Sequence, residues 1–228
     1  MTVPNLSEVA RLVGEPSRAR ILDALLDGRA WTGRELARVA HVTPSTASEH
    51  LGRLVQGALL TVVPQGRHRY YRLASADVAQ ALEALMFLAP QPAAEPSGRS
   101  AIDPELRRAR TCYDHLAGEL GVALAGALIA REAIVLGPTS AALTSAGADL
   151  FATLAIKVDT GNPRRLLCRP CLDWSERRFH LAGRAGAALA RHAFAAGWVR
   201  HGRAARAVAV TERGVAALRA AFDIEWRP

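Results

Sequence analysis

Lysine is almost absent from this chain: of 29 basic residues, only Lys157 is a lysine and the rest are arginine. Aromatic residues make up 5% of the sequence while half of it is hydrophobic. Rings are therefore too few to build the core, which falls to alanine, leucine and valine. No apolar run approaches the roughly 18 residues that a membrane helix needs. The longest candidate, 116–129, is broken by Gly118, Glu119, Gly121 and Gly126. No basic-then-apolar export pattern opens the sequence. Three cysteines, an odd number, argue against a disulfide framework and point to reduced thiols in the cytoplasm. Signatures of common catalysts are missing too: there is no Gly-x-Ser-x-Gly turn, phosphate loop or dinucleotide fingerprint. Cys171, His180 and Asp173 can be drawn as a nucleophile set, but nothing around them supports one, and the chain reads as a non-enzyme.

What is present is positive charge. The formal net charge is +8 and the isoelectric point is near 10.6, which favours polyanionic partners. Arginine suits phosphates and guanine edges through its two-pronged geometry. GC-rich coding also enriches alanine and arginine, so the placement of the arginines carries more weight than their total.

Residues 41–73 give that placement. Thr43 can cap a helix with Pro44 at its first position, where a missing N–H costs nothing. On a helical wheel Ala47, Leu51, Leu54 and Ala58 share one face. Ser45, Glu49, Gly52, Arg53 and Gln56 lie opposite, with Thr46 and Ser48 on the flanks. The outer face carries no large apolar group. A strand-like 59–63, a tip of Pro64-Gln65-Gly66-Arg67-His68 and a returning 70–73 form a basic hairpin beside it. Three further helices precede this pair, at 6–13, from Pro16 to before Gly28, and from Thr32 to before His41. A fifth follows at 75–88. The outline is a winged helix-turn-helix.

Residues 89–102, rich in proline and small polar residues, read as a linker. They separate a domain at 1–88 from a second at 103–228. In the latter a long helix is expected from 103 to about 131, with Leu106, Ala109, Tyr113, Leu116, Leu120 and Leu124 as its stripe, and another from 177 to 197. A strand, Thr, two residues, Gly and a helix occur twice, from Ala142 and from Val208, which suggests a weak internal repeat. Helix, strand, basic loop, strand and helix after 177 repeat the winged outline. The expected fold class is mainly α with small β-hairpin wings: an N-terminal winged helix-turn-helix plus a second, winged-helix-like C-terminal domain.

The stretches Glu15-Pro16-Ser17-Arg18-Ala19-Arg20-Ile21-Leu22, Thr43-Pro44-Ser45-Thr46-Ala47-Ser48-Glu49-His50-Leu51 and Gly66-Arg67-His68-Arg69-Tyr70-Tyr71-Arg72-Leu73 resemble the ArsR/SmtB family of bacterial repressors over residues 5–88. The resemblance implies a homodimer joined through the first and fifth helices, binding to a palindromic operator on double-stranded DNA, and release by an inducer. It maps DNA contacts onto Thr43, Ser45, Thr46, Ser48 and His50, with Arg67, His68 and Arg69 in the wing. The wheel adds Arg53 and places His50 nearer the core edge. Residues 109–118 and 171–178 are similar to a subgroup that carries a long C-terminal domain.

The signal is open at this level. The arsenic-type Cys-x-Cys is missing from 35–40, and 75–88 offers Asp77 and Glu83 but no histidine. Candidates remain in Cys112, His115, Cys168 and Cys171, as a thiophilic metal or metalloid site, as a thiol redox switch favoured by neighbouring arginines, or as inert buried groups. A small organic inducer could be held by Tyr113, Phe151, Trp174, Phe179 and Trp198. The alternative to an inducer-controlled repressor is a DNA-organising or partner-binding protein without inducer control.

Overall fold

The computed structural model describes residues 5–66, 68–89, 103–159 and 165–227, and the chain divides into two units, Met1–Leu85 and Met86–Pro228.

In the first unit, capping chemistry fixes where the helices start. Asn5 caps α1 (Leu6–Val13). Glu15 accepts hydrogen bonds from the Ser17 and Arg18 backbone at the start of α2 (Pro16–Leu25). After a short β1 (Trp31–Thr32), Thr32 and Glu35 form a reciprocal capping box on α3 (Gly33–Ala40), satisfying two otherwise orphaned N–H groups. The chain turns at His41, whose φ of 57° is left-handed. Thr43 then accepts from the Thr46 N–H to start α4 (Pro44–Gln56). Strands β2 (Leu60–Gln65) and β3 (His68–Leu73) form the hairpin, and β1 adds to its far side in the order β1-β3-β2. Helix α5 (Ala76–Leu88) follows. Ile21, Leu22, Leu25, Leu26, Leu36, Leu51 and Leu54 are almost wholly buried, each worth about 1.5–3 kcal/mol. They pin α2, α3 and α4 together, so the outer face of α4 is held in a fixed orientation. Helix α1 buries none of its residues, and Leu6, Val9 and, on α5, Leu85 are exposed.

The second unit departs from expectation at its start. The helix expected over 103–131 is instead α6 (Pro104–Arg108), a hairpin of β4 (Arg110–Cys112) and β5 (His115–Ala117), and then α7 (Gly118–Ala130). Tyr113, at φ 59°, turns the hairpin, and Gly118, at φ 75°, turns the chain from strand into helix. The chain continues through β6 (Ile134–Leu136), β7 (Ala141–Leu143) and α8 (Ser145–Thr153). Cys171 lies in strand β8 (Arg169–Leu172), which pairs with β9 (Phe179–Ala182). The helix expected from 177 begins six residues later as α9 (Gly183–Ala195), again on a glycine at positive φ, 83°. It is followed by β10 (Val199–His201), β11 (Val208–Val210) and α10 (Glu212–Phe222).

Hairpin, 13-residue helix, hairpin and threonine-capped helix therefore occur twice in this unit. Thr144 and Thr211 each accept from the N–H of the glycine three residues on, so the weak repeat from Ala142 and Val208 is the tail of a longer one. One core joins Leu120, Leu124 and Leu128 of α7 to Ala185 and Leu189 of α9, with Phe151, Trp198 and Phe222. Of the expected linker 89–102, only Ala89 lies within the described residues. Among those residues, no helix is long and apolar enough to cross a membrane.

Candidate functional site

Two places gather chemistry-bearing side chains, one in each unit. In the first unit, Thr43, Ser45 and Ser48 are exposed along the outer edge of α4, and Thr46 is half-buried. Thr43 and Thr46 pair through their hydroxyls at 2.9 Å. A cleft of about 560 Å³ runs between the start of α3, α4 and the hairpin, lined by Arg34, Pro44, Ser48, His68 and Arg69 among others. His68 and Arg69 are exposed on β3, and His68 meets Tyr70 edge to face. Arg67 lies outside the described residues. Arg34 was not singled out from the sequence, because it sits one helix earlier than the motif and only the fold brings it to the wing.

The structure turns His50 inward. Its side chain is 14% exposed, with Nε2 3.8 Å from Glu15 and Nδ1 3.4 Å from the Arg18 guanidinium. The buried Arg18 also donates to the Leu12 and Arg11 carbonyls, so His50 belongs to a network that ties α4 to the α1–α2 junction. Arg53 is exposed and engaged with Glu49 one turn back.

In the second unit, Cys112, His115, Cys171 and His180 are all buried, and one ligand atom from each lies within 4.8 Å of the other three. The hairpins explain the convergence. Cys112 faces His115 across β4 and β5, and Cys171 faces His180 across β8 and β9. The Cys112 and Cys171 sulfurs are 3.8 Å apart and the two Nε2 atoms 3.2 Å. Cys168, the remaining sequence candidate, packs in the main apolar core, whereas Cys112 and Cys171 pack with Ala117 and Ala182. His180 was missed as a ligand. Its signal was in the sequence: His-Leu-Ala-Gly occurs at both 115–118 and 180–183.

Charges around the cluster are tightly held. Asp114 lies 3.4 Å from His115 Nδ1 and 2.7 Å from Arg165. Asp173 Oδ2 is 3.5 Å from His180 Nδ1 and accepts from the Gly118 N–H at 2.7 Å. Its Oδ1 binds Arg110 at 2.8 Å, with both side chains almost fully buried, and Trp174 stacks on the Arg110 guanidinium. Burial alone would raise the Asp173 carboxyl, but Arg110 and His180 hold it well below the usual carboxylate range. Burial likewise opposes charge on His115, yet hydrogen bonds to Asp114 and Cys171 push its pKa up to about 9. The hydrogen bond with Cys112, helped by both histidines, outweighs burial and holds Cys171 well below the ordinary thiol range. Burial lifts Cys168 to about 11, which leaves it a neutral thiol.

The five aromatic candidates are distributed. Tyr113 occupies the hairpin turn, Trp174 lies on Arg110, Phe179 is half-buried on β9, and Phe151 and Trp198 belong to the core. Trp198 meets His192 and Phe222 edge to face.

Known proteins similar to this chain are helix-turn-helix regulators. A family model described as a helix-turn-helix domain matches residues 13–63. The uncharacterized HTH-type transcriptional regulator YdfF of Bacillus subtilis is 40% identical over 212 residues, 92% of this chain and 94% of that protein. The HTH-type transcriptional regulator CmtR of Mycobacterium tuberculosis is 38% identical over 81 residues, 36% of this chain and 68% of its own length. Among solved structures, a homodimeric winged helix-turn-helix DNA-binding domain from Mycobacterium bovis, a candidate ArsR-family regulator, is 28% identical. It covers 36% of this chain and 76% of its own, with a TM-score of 0.34.

Proposed function

The chain belongs to the helix-turn-helix transcriptional regulators, and from that premise we propose that it is a cytoplasmic repressor of the ArsR type. It binds a palindromic operator as a homodimer and leaves it when a signal reaches the second unit. Helix α4 enters the major groove with Thr43, Ser45, Thr46 and Ser48 toward base edges, and Arg69, His68, Arg67 and Arg34 meet phosphates around it. Arg53 reaches the backbone by exchanging Glu49 for a phosphate. His50 acts indirectly, by fixing the angle of α4 through Arg18 and Glu15. One observation carries this reading: Ser48 of α4, Arg34 of α3 and His68 and Arg69 of the wing line a single cleft.

The dimer is read as forming through α1 and α5, where Leu6, Val9 and Leu85 are exposed and an apolar partner surface would cover them. The buried Cys/His cluster is the candidate receiver of the signal, as a site for a thiophilic ion. No catalytic role is assigned.

A gel shift with the DNA immediately upstream of the chain's own coding sequence tests the reading. A discrete complex that survives excess random DNA, and dissociates with a thiophilic metal, an oxidant or a small organic inducer, supports it. Equal affinity for random DNA would favour a DNA-organising protein without inducer control.

A further inference from the structure

The Cys/His cluster lies at the meeting point of two copies of one unit. His115-Leu116-Ala117-Gly118 recurs as His180-Leu181-Ala182-Gly183, 65 residues later, each time ending a hairpin and opening a 13-residue helix. The copies interlock: α7 packs on β9, and α9 packs on β5. The contacts are reciprocal in detail. A Cβ on Gly121 would lie 3.6 Å from that of His180, and a Cβ on Gly186 would lie 3.4 Å from that of His115. Each copy thus seats its helix on the other copy's histidine and contributes one cysteine and one histidine.

Two edges between the ligand atoms match those of a coordination tetrahedron, and the others are within 4.8 Å. Zinc–sulfur bonds of about 2.3 Å and zinc–nitrogen bonds of about 2.0–2.1 Å imply a sulfur–sulfur edge of about 3.8 Å and a nitrogen–nitrogen edge of about 3.3 Å. The structure has 3.8 Å and 3.2 Å. A disulfide would instead need sulfurs at about 2.05 Å. Each histidine also turns Nδ1 toward a carboxylate, Asp114 or Asp173, and both carboxylates are held by arginines. In the tautomer with both protons on Nδ1, the two Nε2 lone pairs face each other, and the His180 Nδ1 has no hydrogen-bond partner of its own. A cation between them, or a proton in its absence, removes that repulsion. Carboxylate–histidine pairs of this kind orient imidazoles for a metal.

We propose that Cys112 Sγ, His115 Nε2, Cys171 Sγ and His180 Nε2 form a closed tetrahedral site for a thiophilic divalent ion of the zinc class, which clasps the two copies together. The proposal rests on the reading of the cluster as an ion site and is independent of the DNA-binding reading. Four protein ligands leave no open position, so the ion is held for structure rather than for attack on a substrate.

The test uses the full chain, reduced, loaded with Zn²⁺ or Co²⁺ and desalted. Mass spectrometry should find one ion per chain, and the Co²⁺ form should absorb as a tetrahedral centre with sulfur-to-metal charge transfer. Cys112→Ser and His180→Asn should each lose most of the ion, while Cys168→Ser keeps it. Asp114→Asn retains all four ligands and should bind about 10–100-fold more weakly. No retained ion in the wild type, a sulfur-free octahedral Co²⁺ spectrum, or loss of the ion from Cys168→Ser would overturn the site. None of these readouts involves DNA, so full ion content in a chain that fails to select its upstream DNA would sink the repressor reading alone.

Discussion

Arg110 and Asp173 form an ion pair at 2.8 Å with both side chains almost entirely out of solvent. The pair connects β4 in the first copy to the segment after β8 in the second, beside the histidine cluster. Further hydrogen bonds surround it, and only the Arg110 Nε among its atoms is buried without a partner. Asp173 also accepts from the Gly118 and Glu176 backbone and from Ser175, and Arg110 donates to the Leu106 carbonyl and Ser175.

Removing one partner therefore leaves a buried charge without its counterion. Arg110→Met should destabilise the fold by about 3–5 kcal/mol, read as a lower denaturant midpoint. Adding Asp173→Leu should recover only part of this, because the Gly118 and Glu176 N–H groups then lose their acceptor. Full recovery would mean that those hydrogen bonds contribute nothing.

The wing makes a different kind of prediction, about salt. If Arg69 meets a phosphate, Arg69→Ala should weaken binding to all DNA sequences alike and flatten the log–log salt dependence by about one unit of slope. Arg67→Ala should do the same. Arg53→Ala should change affinity less, because Glu49 competes for that guanidinium. An unchanged slope for Arg69→Ala would remove it from the contact list.

These two sites were unequally legible. The cap at Thr43, the buried stripe of α4 and the basic hairpin are local patterns, so residues 5–88 could be read almost element by element. The His50 and Arg34 placements could not, since both depend on which helices meet. In the second unit, alanine- and leucine-rich stretches satisfy helical and strand periods together. Strand, glycine and helix therefore merge into one expected helix at both 103–131 and 177–197. Only the backbone turns at Tyr113, Gly118 and Gly183 reveal the hairpins. Once they form, Cys112 and His115 become cross-strand neighbours and Cys171 separates from Cys168. The repeated His-Leu-Ala-Gly was visible throughout, but its meaning required knowing that the copies interlock.

The capping box of α3 gives a pH-dependent test. Hydrogen bonds from the Thr32 backbone and hydroxyl hold the Glu35 carboxyl below its ordinary value. A carboxylate with a depressed folded-state pKa stabilises the fold above its unfolded pKa of about 4.3, and this is lost as pH falls through the lower folded value. Thr32→Ala should cost about 1 kcal/mol at neutral pH, and Glu35→Gln should soften the acid limb of the stability curve. Thermal melts from pH 7 to pH 2.5 would show both effects. An unaltered acid limb in Glu35→Gln would exclude the box as a contributor.

The central claim, that the polar edge of α4 reads operator DNA in a dimer, is tested most directly by nuclease footprinting on the chain's own upstream DNA. The account predicts two symmetric protected half-sites, centred one helical turn or a small multiple of it apart, both lost in a Ser45→Glu, Ser48→Glu variant that still melts like the wild type. Protection without boundaries, or a footprint that survives those two substitutions, would contradict it.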